Sequence, residues 1–123
     1  MEKIKNFTDL NTWKEAHKLV LMVYTHTKNF PDEERFGLTN QSRRAAVSVS
    51  SNIAEGFGRS SARDKRHFYT MGATSLAELQ NQFLAARDLE YIQEEFFETL
   101  ATQMTKTGML LSGLIKSATN KAQ

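Results

Sequence analysis

Residues Gln41 to Arg59 read QSRRAAVSVSSNIAEGFGR, a stretch that combines two adjacent arginines, a run of small residues and the polar pair Ser51-Asn52. Its apolar residues recur every three or four positions, which is the spacing of one helix face. An ordinary core helix does not need such a mixture. The stretch therefore predicts a helix that packs closely against a neighbour and also presents a polar, charged face.

Composition limits the class of protein. A chain of 123 residues without cysteine fits one domain over 1–123, and it excludes disulfides and cysteine-ligated zinc. The first residues have no apolar core of a secretory signal, and no apolar run approaches the roughly 20 residues of a membrane span. We therefore expect a cytoplasmic protein with no membrane partner.

Helical periodicity continues on both sides of the opening stretch. Glycine and proline interrupt it at few places, chiefly Pro31, Gly37 and the pair Gly56 and Gly58. The pattern predicts an all-α protein, an antiparallel up-down-up-down four-helix bundle, with helices at about 10–29, 38–58, 62–89 and 93–118.

Local signals place the helix ends. Thr12 and Glu15 have the spacing of a capping box at the start of helix 1, and Gly56 with Gly58 predicts the C-cap of helix 2. Ser61, followed by an acid three residues later, marks the start of helix 3. The boundary near 90–93 lacks both glycine and proline, so it rests on periodicity alone.

Helices 1 and 4 each carry a second apolar strip beside the predicted core stripe. The strips contain Leu19, Met22 and His26 on helix 1, and Phe96, Leu110 and Leu114 on helix 4. A helix that is apolar over more than one stripe usually has a second partner. We expect self-association into a homo-oligomer; a wider core stripe is the alternative.

Charge is unevenly distributed along the chain, although the net charge is only +2. Eight basic residues stand against three acidic ones from Arg35 to Arg87, while five acids and no base follow from Asp88 to Glu98. This segregation indicates a partner surface or head-to-tail contact between copies. Solvated helix faces are the alternative explanation.

The sequence offers no catalytic or metal-binding pattern. Glu-x-x-His pairs of the di-iron type are missing, and the three histidines lie at least nine residues apart. Neither a GxSxG nucleophile motif nor a lysine-bearing phosphate loop occurs. We therefore expect a non-enzymatic protein without catalytic residues, cofactor, metal or small-molecule substrate.

Nucleic acid is a better candidate partner, because cations cluster around the turn between helices 2 and 3. The predicted RNA- or DNA-binding residues are Arg59, Arg63, Lys65 and Arg66 at this turn, with Arg43 and Arg44 four turns back on helix 2. Phosphates attract such cations, and the start of helix 3 adds positive potential. No helix-turn-helix or sheet-borne aromatic platform is evident, so readout would rest on charge and shape. A basic turn that serves solubility is the alternative.

A further polar set is predicted to pack helices together. At 100° per residue the polar residues of helix 2 share one face, and Ser75 and Glu78 on helix 3 are placed to answer them. The predicted packing or interface residues are Ser48, Ser51, Asn52, Glu55, Ser75 and Glu78. The seam would lie between helices 2 and 3 or between subunits.

The core RRAAVSVSSNIAEG, with Trp13, Phe30-Pro31, Gly37-Leu38, Arg59 and Phe68, resembles the four-helix bundle family of 23S rRNA intervening-sequence proteins. The resemblance implies a bundle that assembles into a homopentameric ring, and genes inside intervening sequences of ribosomal RNA genes. It also implies distant kinship with the accessory variability protein of diversity-generating retroelements, a basic pentamer that binds nucleic acid and a reverse transcriptase. The family has no established enzymatic activity.

The leading hypothesis is a non-enzymatic oligomeric bundle that associates with nucleic acid or acts as a scaffold. The alternative is a protein–protein interaction module without a nucleic-acid role.

Overall fold

The computed structural model describes residues 3–123, so Met1 and Glu2 of the predicted 1–123 domain lie outside the described residues. These residues form four α-helices and no strand: α1 (Asn11–Thr27), α2 (Leu38–Phe57), α3 (Ala62–Asp88) and α4 (Glu94–Ala122). Short 3-10 turns, Phe7–Asp9 and Asp32–Glu34, precede α1 and α2. The prediction of an all-α four-helix bundle is confirmed. Its assembly into a ring stays a prediction.

Side-chain contacts show that neighbouring helices run antiparallel. Glu15 near the start of α1 contacts Gln103 in the middle of α4, while His26 near the end of α1 packs on Phe96 at the start of α4. Each helix packs on its neighbour in the chain, and α1 packs on α4 to close the bundle. This is the arrangement expected of four helices with short connections.

One hydrophobic core receives side chains from all four helices. Its largest fully buried members are Phe83, Leu19, Ile53, Leu79, Leu100 and Leu111. Burying a side chain of this size stabilises the fold by about 1.5–3 kcal/mol relative to leaving it exposed. The core therefore holds the helices without disulfides.

The predicted capping box at Thr12 and Glu15 is wrong. Both residues are buried inside α1, 5% and 8% exposed, where they face the bundle rather than the helix end. A capping box does form one turn earlier, in the Phe7–Asp9 turn, where Asn6 and Asp9 bond reciprocally to each other's backbone. The capping box therefore has the pattern Asn-x-x-Asp at Asn6 and Asp9, and not the predicted Thr-x-x-Glu pattern.

Glycines at the end of α2 do two different jobs. Gly58 is the C-cap, as predicted, with a right-handed φ of −77°. Gly56 lies inside α2, and a Cβ there would lie 2.6 Å from Cε1 of Tyr69 on α3. The start of α3 is as predicted, with the Ser61 hydroxyl accepting from the Asp64 backbone N–H at 3.1 Å.

Helix α3 ends in a Schellman motif built without glycine. Glu90 has a φ of 63°, the Tyr91 N–H donates to the Ala86 carbonyl, and the Glu90 N–H donates to the Arg87 carbonyl. These two bonds satisfy carbonyls that the helix end leaves free. Tyr91 then packs on Phe30, and its hydroxyl donates to Glu34 at 2.9 Å. The end of α3 therefore coincides with the packing of Tyr91, and no glycine or proline in the local sequence marks it.

The second apolar strips are partly internal. Leu19, predicted to lie on an outer strip, is fully buried in the core. His26 and Phe96, placed on separate outer strips, stack on each other with ring centroids 5.2 Å apart. Their contact is therefore part of the α1–α4 packing within one chain. Met22 and Leu114 also pack against the core, which leaves Leu110 as the strip residue available to another partner.

Candidate nucleic-acid interface

The six predicted nucleic-acid-binding cations fall into two groups. Arg43 and Arg44 lie near the start of α2, while Arg59 follows its end. Sixteen residues at 1.5 Å each place Arg43 about 24 Å from Arg59 along the helix axis. The structure therefore does not bring all six together.

Two of these cations are tied into the fold. The Arg43 Nε donates to the Thr27 hydroxyl at 2.8 Å, and its guanidinium lies over the Tyr24 ring at 4.7 Å. The Lys65 ammonium donates to the Phe57 carbonyl at 2.6 Å, at the C-terminus of α2. A cation at a helix C-terminus satisfies free carbonyls and the negative end of the helix dipole. Lys65 thus has a structural partner before any ligand arrives.

The remaining cations of this turn are more available. Arg59 makes an exposed ion pair with Glu55 at 3.3 Å and lies over the Phe68 ring at 4.4 Å. Arg63 is exposed and Arg66 half-buried, and neither makes an ion pair within residues 3–123. Arg63 and Arg66 lie in the first turns of α3, whose N-terminus also attracts negatively charged ligands.

Sequence reasoning missed a fifth cation at this place. Lys121, near the end of α4, lines the same cavity of about 330 Å³ as Lys65 and Phe57. The antiparallel order of α3 and α4 puts the end of α4 beside the start of α3. The predicted topology could therefore have identified Lys121, although its distance in the sequence from the other cations concealed it. We define the basic end of the bundle as Arg59, Arg63, Lys65, Arg66 and Lys121.

The opposite end of the bundle is rich in acids. Helix α3 contains 27 residues and is about 40 Å long, so its first and last turns lie at opposite ends. The acidic end consists of Asp32, Glu33, Glu34, Asp88, Glu90, Glu94 and Glu95. There, the Glu34 hydrogen bond and burial raise the pKa of the Tyr91 hydroxyl. Charge segregation in the sequence becomes an end-to-end asymmetry of the bundle.

Part of the predicted polar seam forms between α2 and α3. The hydroxyls of Ser48 and Ser75 are 2.7 Å apart, and the Asn52 amide donates to the Ser48 carbonyl at 2.9 Å and to its hydroxyl at 3.1 Å. Gly72 is buried at this contact, where a Cβ would lie in ordinary van der Waals contact, 3.5 Å from the Val49 carbonyl oxygen. Hydrogen-bonded polar groups at such a contact fix the register of the two helices.

Other members of that set lie outside the hydrogen-bonded seam. Ser51 and Glu55 are exposed, and Glu55 pairs with Arg59 rather than reaching across to α3. Glu78 is also exposed and lines a groove of about 610 Å³ that it shares with Arg44, Ser48 and Ser75. The seam is therefore a short internal contact that opens into a surface groove.

The carboxylate with the large pKa shift belongs to a different contact. Hydrogen bonds from Gln103 and Lys18, with Lys106 nearby, lower the pKa of Glu15 from 4.5 to about 2. Glu15 links α1 to α4 and lies in neither the basic end nor the groove. Across residues 3–123, no group of three or more His, Asp or Glu side chains is arranged to hold a metal ion.

Comparison with known proteins places this geometry in a family. The family model described as 23S rRNA-intervening sequence protein matches residues 8–113. The chain belongs to this family. The match includes α1 to α3 and most of α4, and therefore both the seam and most of the basic end. No curated protein matches the chain.

A solved structure shares the fold. The crystal structure of a protein with unknown function from the S23 ribosomal protein family of Bacteroides thetaiotaomicron superposes with a TM-score of 0.77. It is 20% identical in sequence, and the match covers 85% of this chain and 98% of that one. At this identity the likeness shows the fold alone. Within the described part of this family member, no helix is long and apolar enough to cross a membrane.

Proposed function

We propose that this family member is a non-enzymatic, oligomeric bundle that associates with RNA or DNA through its basic end. The observation that carries the proposal is the arrangement of Arg59, Arg63 and Arg66 about the start of α3, two of them without an internal ion pair in the described residues. A cation already neutralised by a carboxylate gains little from a phosphate, whereas an unpaired guanidinium binds one strongly.

Binding at this end would be driven by charge. Backbone phosphates would meet a helix N-terminus and flexible cations there. Most of the acidic cluster lies about 40 Å away at the other end of α3, whereas Asp64 in the first turn of α3 and Glu55, which pairs with Arg59, are the acids at the basic end. Counterion release makes such affinity fall with salt, with a slope of about −0.7 per phosphate contact on single strands and about −0.9 on duplex.

Fluorescence anisotropy with a labelled RNA hairpin tests the proposal across a salt series. R63A/R66A should weaken binding to all sequences alike and should reduce the salt slope by about 1.4–1.8. The double variant R63K/R66K keeps the charge and should retain most of the affinity. K28A, which removes an exposed cation beyond the end of α1, should change nothing.

Two outcomes would overturn the nucleic-acid role. One is the absence of detectable binding by the unaltered protein at low salt. The other is a loss of binding free energy in K28A of half that in R63A/R66A or more. Because K28A removes one charge and the double variant removes two, this would indicate non-specific attraction to net charge instead of a basic end.

Self-association is part of the same proposal, as a homo-oligomer for which the family resemblance implies a pentameric ring. Its support is an apolar hollow of about 720 Å³ on the outer face of α4, lined by Ala101, Thr105, Met109 and Leu110 among others. Met109 is 73% exposed in the single chain, a large apolar area to leave in water. Light scattering that gives 14.0 kDa at micromolar concentration would refute self-association.

A non-enzymatic role is supported by how the titratable groups are used. The Glu15 carboxylate, whose pKa is strongly lowered, is held in a contact between α1 and α4. Burial raises the pKa of Tyr69, whose ring packs against Gly56. Tyr69 lines the cavity of about 330 Å³ beside Lys65, but the Lys65 ammonium already donates to the Phe57 carbonyl. A cytoplasmic location also belongs to the proposal, and a chain without cysteine suits it.

The alternative function is a protein–protein interaction module, favoured by the same apolar hollow on α4. Purification with and without nuclease separates the two functions. A co-purifying protein that remains bound after nuclease treatment, and is lost in Met109→Glu, would favour the module. A partner lost on nuclease treatment would favour nucleic acid.

A further inference from the structure

The groove between α2 and α3 has features that charge-based binding at the basic end does not use. It holds about 610 Å³ and is lined mostly by polar residues, among them Gln41, Arg44, Glu78 and Gln82, with Phe36 at its edge. Subunit contacts are apolar at their centre and depleted of charge. A polar, charged groove instead fits a ligand that carries its own hydrogen-bonding groups.

Several of these groups lack a partner. Arg44 and Glu78 line the same groove, yet neither forms an ion pair anywhere in residues 3–123. The Gln82 side-chain oxygen is buried with no hydrogen-bond donor in the described structure. A buried acceptor without a donor is unfavourable, so this amide gains a bond when a ligand brings an N–H into the groove.

Phe36 supplies an aromatic surface at the edge of the groove. Its side chain is 85% exposed, and the Arg35 guanidinium lies over its ring at 5.3 Å. A single exposed aromatic ring is common on protein surfaces, but this one lines the polar groove. Unstacked bases of single-stranded nucleic acid stack on such aromatic faces and present their edges for hydrogen bonding.

We propose that the α2–α3 groove binds one unpaired guanine of a single-stranded nucleic acid. The base stacks on Phe36, and the Glu78 carboxylate accepts from the two adjacent N–H groups on its Watson–Crick edge. Arg44 contacts the neighbouring phosphate. Among the bases, guanine presents adjacent ring and amino N–H donors, which match the two oxygens of one carboxylate.

The position of the groove suits a strand that also meets the basic end. Arg44 and Arg59 lie on one side of α2, about 23 Å apart along its axis. A strand that follows this face would place its backbone against Arg59, Arg63 and Arg66 and one base in the groove. The inference therefore rests on the proposed nucleic-acid function and adds the strand type and the base.

The test compares eight-residue uridine oligonucleotides that carry one central guanine, inosine or adenine, by fluorescence anisotropy. The unaltered protein should bind the guanine oligonucleotide about tenfold more tightly than the adenine one, with inosine between them because it lacks the 2-amino group. F36A should weaken binding to every oligonucleotide about tenfold, since stacking does not depend on the base. E78Q should abolish the preference for guanine and leave adenine binding unchanged.

Controls separate this inference from the proposed function. R63A/R66A should reduce the salt slope but keep the guanine preference, whereas F36A and E78Q should keep the slope. Binding without any base preference in the unaltered protein would overturn the groove proposal and leave charge-based association intact. No binding of any oligonucleotide would overturn both.

Light scattering of F36A provides the remaining outcome. Phe36 is almost fully exposed, so its removal should leave the helical circular dichroism spectrum unchanged. A smaller oligomer in F36A than in the unaltered protein would identify the groove as a contact between copies, and the base-binding proposal would then be wrong.

Discussion

Replacing Glu15 with glutamine should destabilise the bundle in a pH-dependent way. The Glu15 carboxylate accepts from the Gln103 amide at 3.1 Å, and the ammonium groups of Lys18 and Lys106 lie 3.1 and 3.3 Å from its oxygens. Glutamine keeps the shape and one acceptor but removes the charge. The two lysines then lose their partner.

The magnitude follows from the pKa of Glu15, which falls from 4.5 to about 2. At 1.36 kcal/mol per unit, this shift corresponds to an upper limit of about 3 kcal/mol. Lys18 and Lys106 are 61% and 59% exposed, so solvent screens much of their attraction. We therefore expect E15Q to lower the free energy of unfolding by about 1.5 kcal/mol at pH 7.

The sign of the pH dependence follows from linkage. Because the folded pKa lies below the unfolded one, the stabilisation is complete above pH 4.5 and is lost as pH falls toward 2. At about pH 3 less than half of it should remain. Other carboxylates titrate in both proteins and cancel in the difference between them.

Urea unfolding at fixed protein concentration, at pH 7 and at pH 3, measures the difference between E15Q and the unaltered chain. E33Q, at an exposed position of the Asp32–Glu34 turn, is the matched control and should stay within about 0.5 kcal/mol. A loss in E15Q that is equal at both pH values would refute the charge argument, because it would show that shape or hydrogen bonding alone is involved.

Three further substitutions, two of them with a control variant, test the helix ends and the packing. E90G should stabilise the fold by about 1 kcal/mol in urea, since glycine relieves the left-handed φ of 63°; E90A should not. G56A should lower the thermal midpoint through a clash with Tyr69, costing about 1–3 kcal/mol, while G58A should be tolerated because its Cβ would lie 3.7 Å from the nearest atom. S42A should be neutral or stabilising on calorimetry, because the buried Ser42 hydroxyl has no partner in the described residues.

The sequence predicts the fold well because apolar residues recur every three or four positions along each helix, which is the spacing of one buried face. It fails where two stripes compete. Leu19 reads as an outer residue only if Val20 is taken to face the core, yet Leu19 is fully buried and Val20 only partly. Adjacent residues on a helix point 100° apart. A short apolar strip therefore does not determine which of two adjacent residues faces the core unless the packing of the neighbouring helices is known.

The helix ends show a second limit. The break after Asp88 is stabilised by backbone bonds at Glu90 and by Tyr91, which packs on Phe30 some sixty residues earlier. Local chemistry gives no glycine or proline to read there. A tertiary contact thus accompanies a non-glycine residue in the left-handed region, as happens where packing outweighs propensity.

The candidate site shows why composition alone misjudges a basic cluster. Arg63 and Lys65 are two residues apart in the sequence, but only Lys65 reaches the end of α2, where the Phe57 carbonyl accepts from it. Charge in a sequence does not distinguish a cation that caps a helix from one that is free for phosphate. That distinction depends on which helix terminus lies within reach of each side chain.

The end-to-end asymmetry of the bundle must come from its side chains. In an antiparallel bundle, helix dipoles alternate and largely cancel, so each end presents N-termini and C-termini together. At the basic end, the C-terminus of α2 is already satisfied in part by Lys65, while the N-terminus of α3 stays beside Arg63. Asp64, in the first turn of α3, offsets part of the positive contribution of that N-terminus. R63A/R66A removes two of the five cations, so residual binding by this variant would measure what Arg59, Lys65, Lys121 and the α3 N-terminus contribute together.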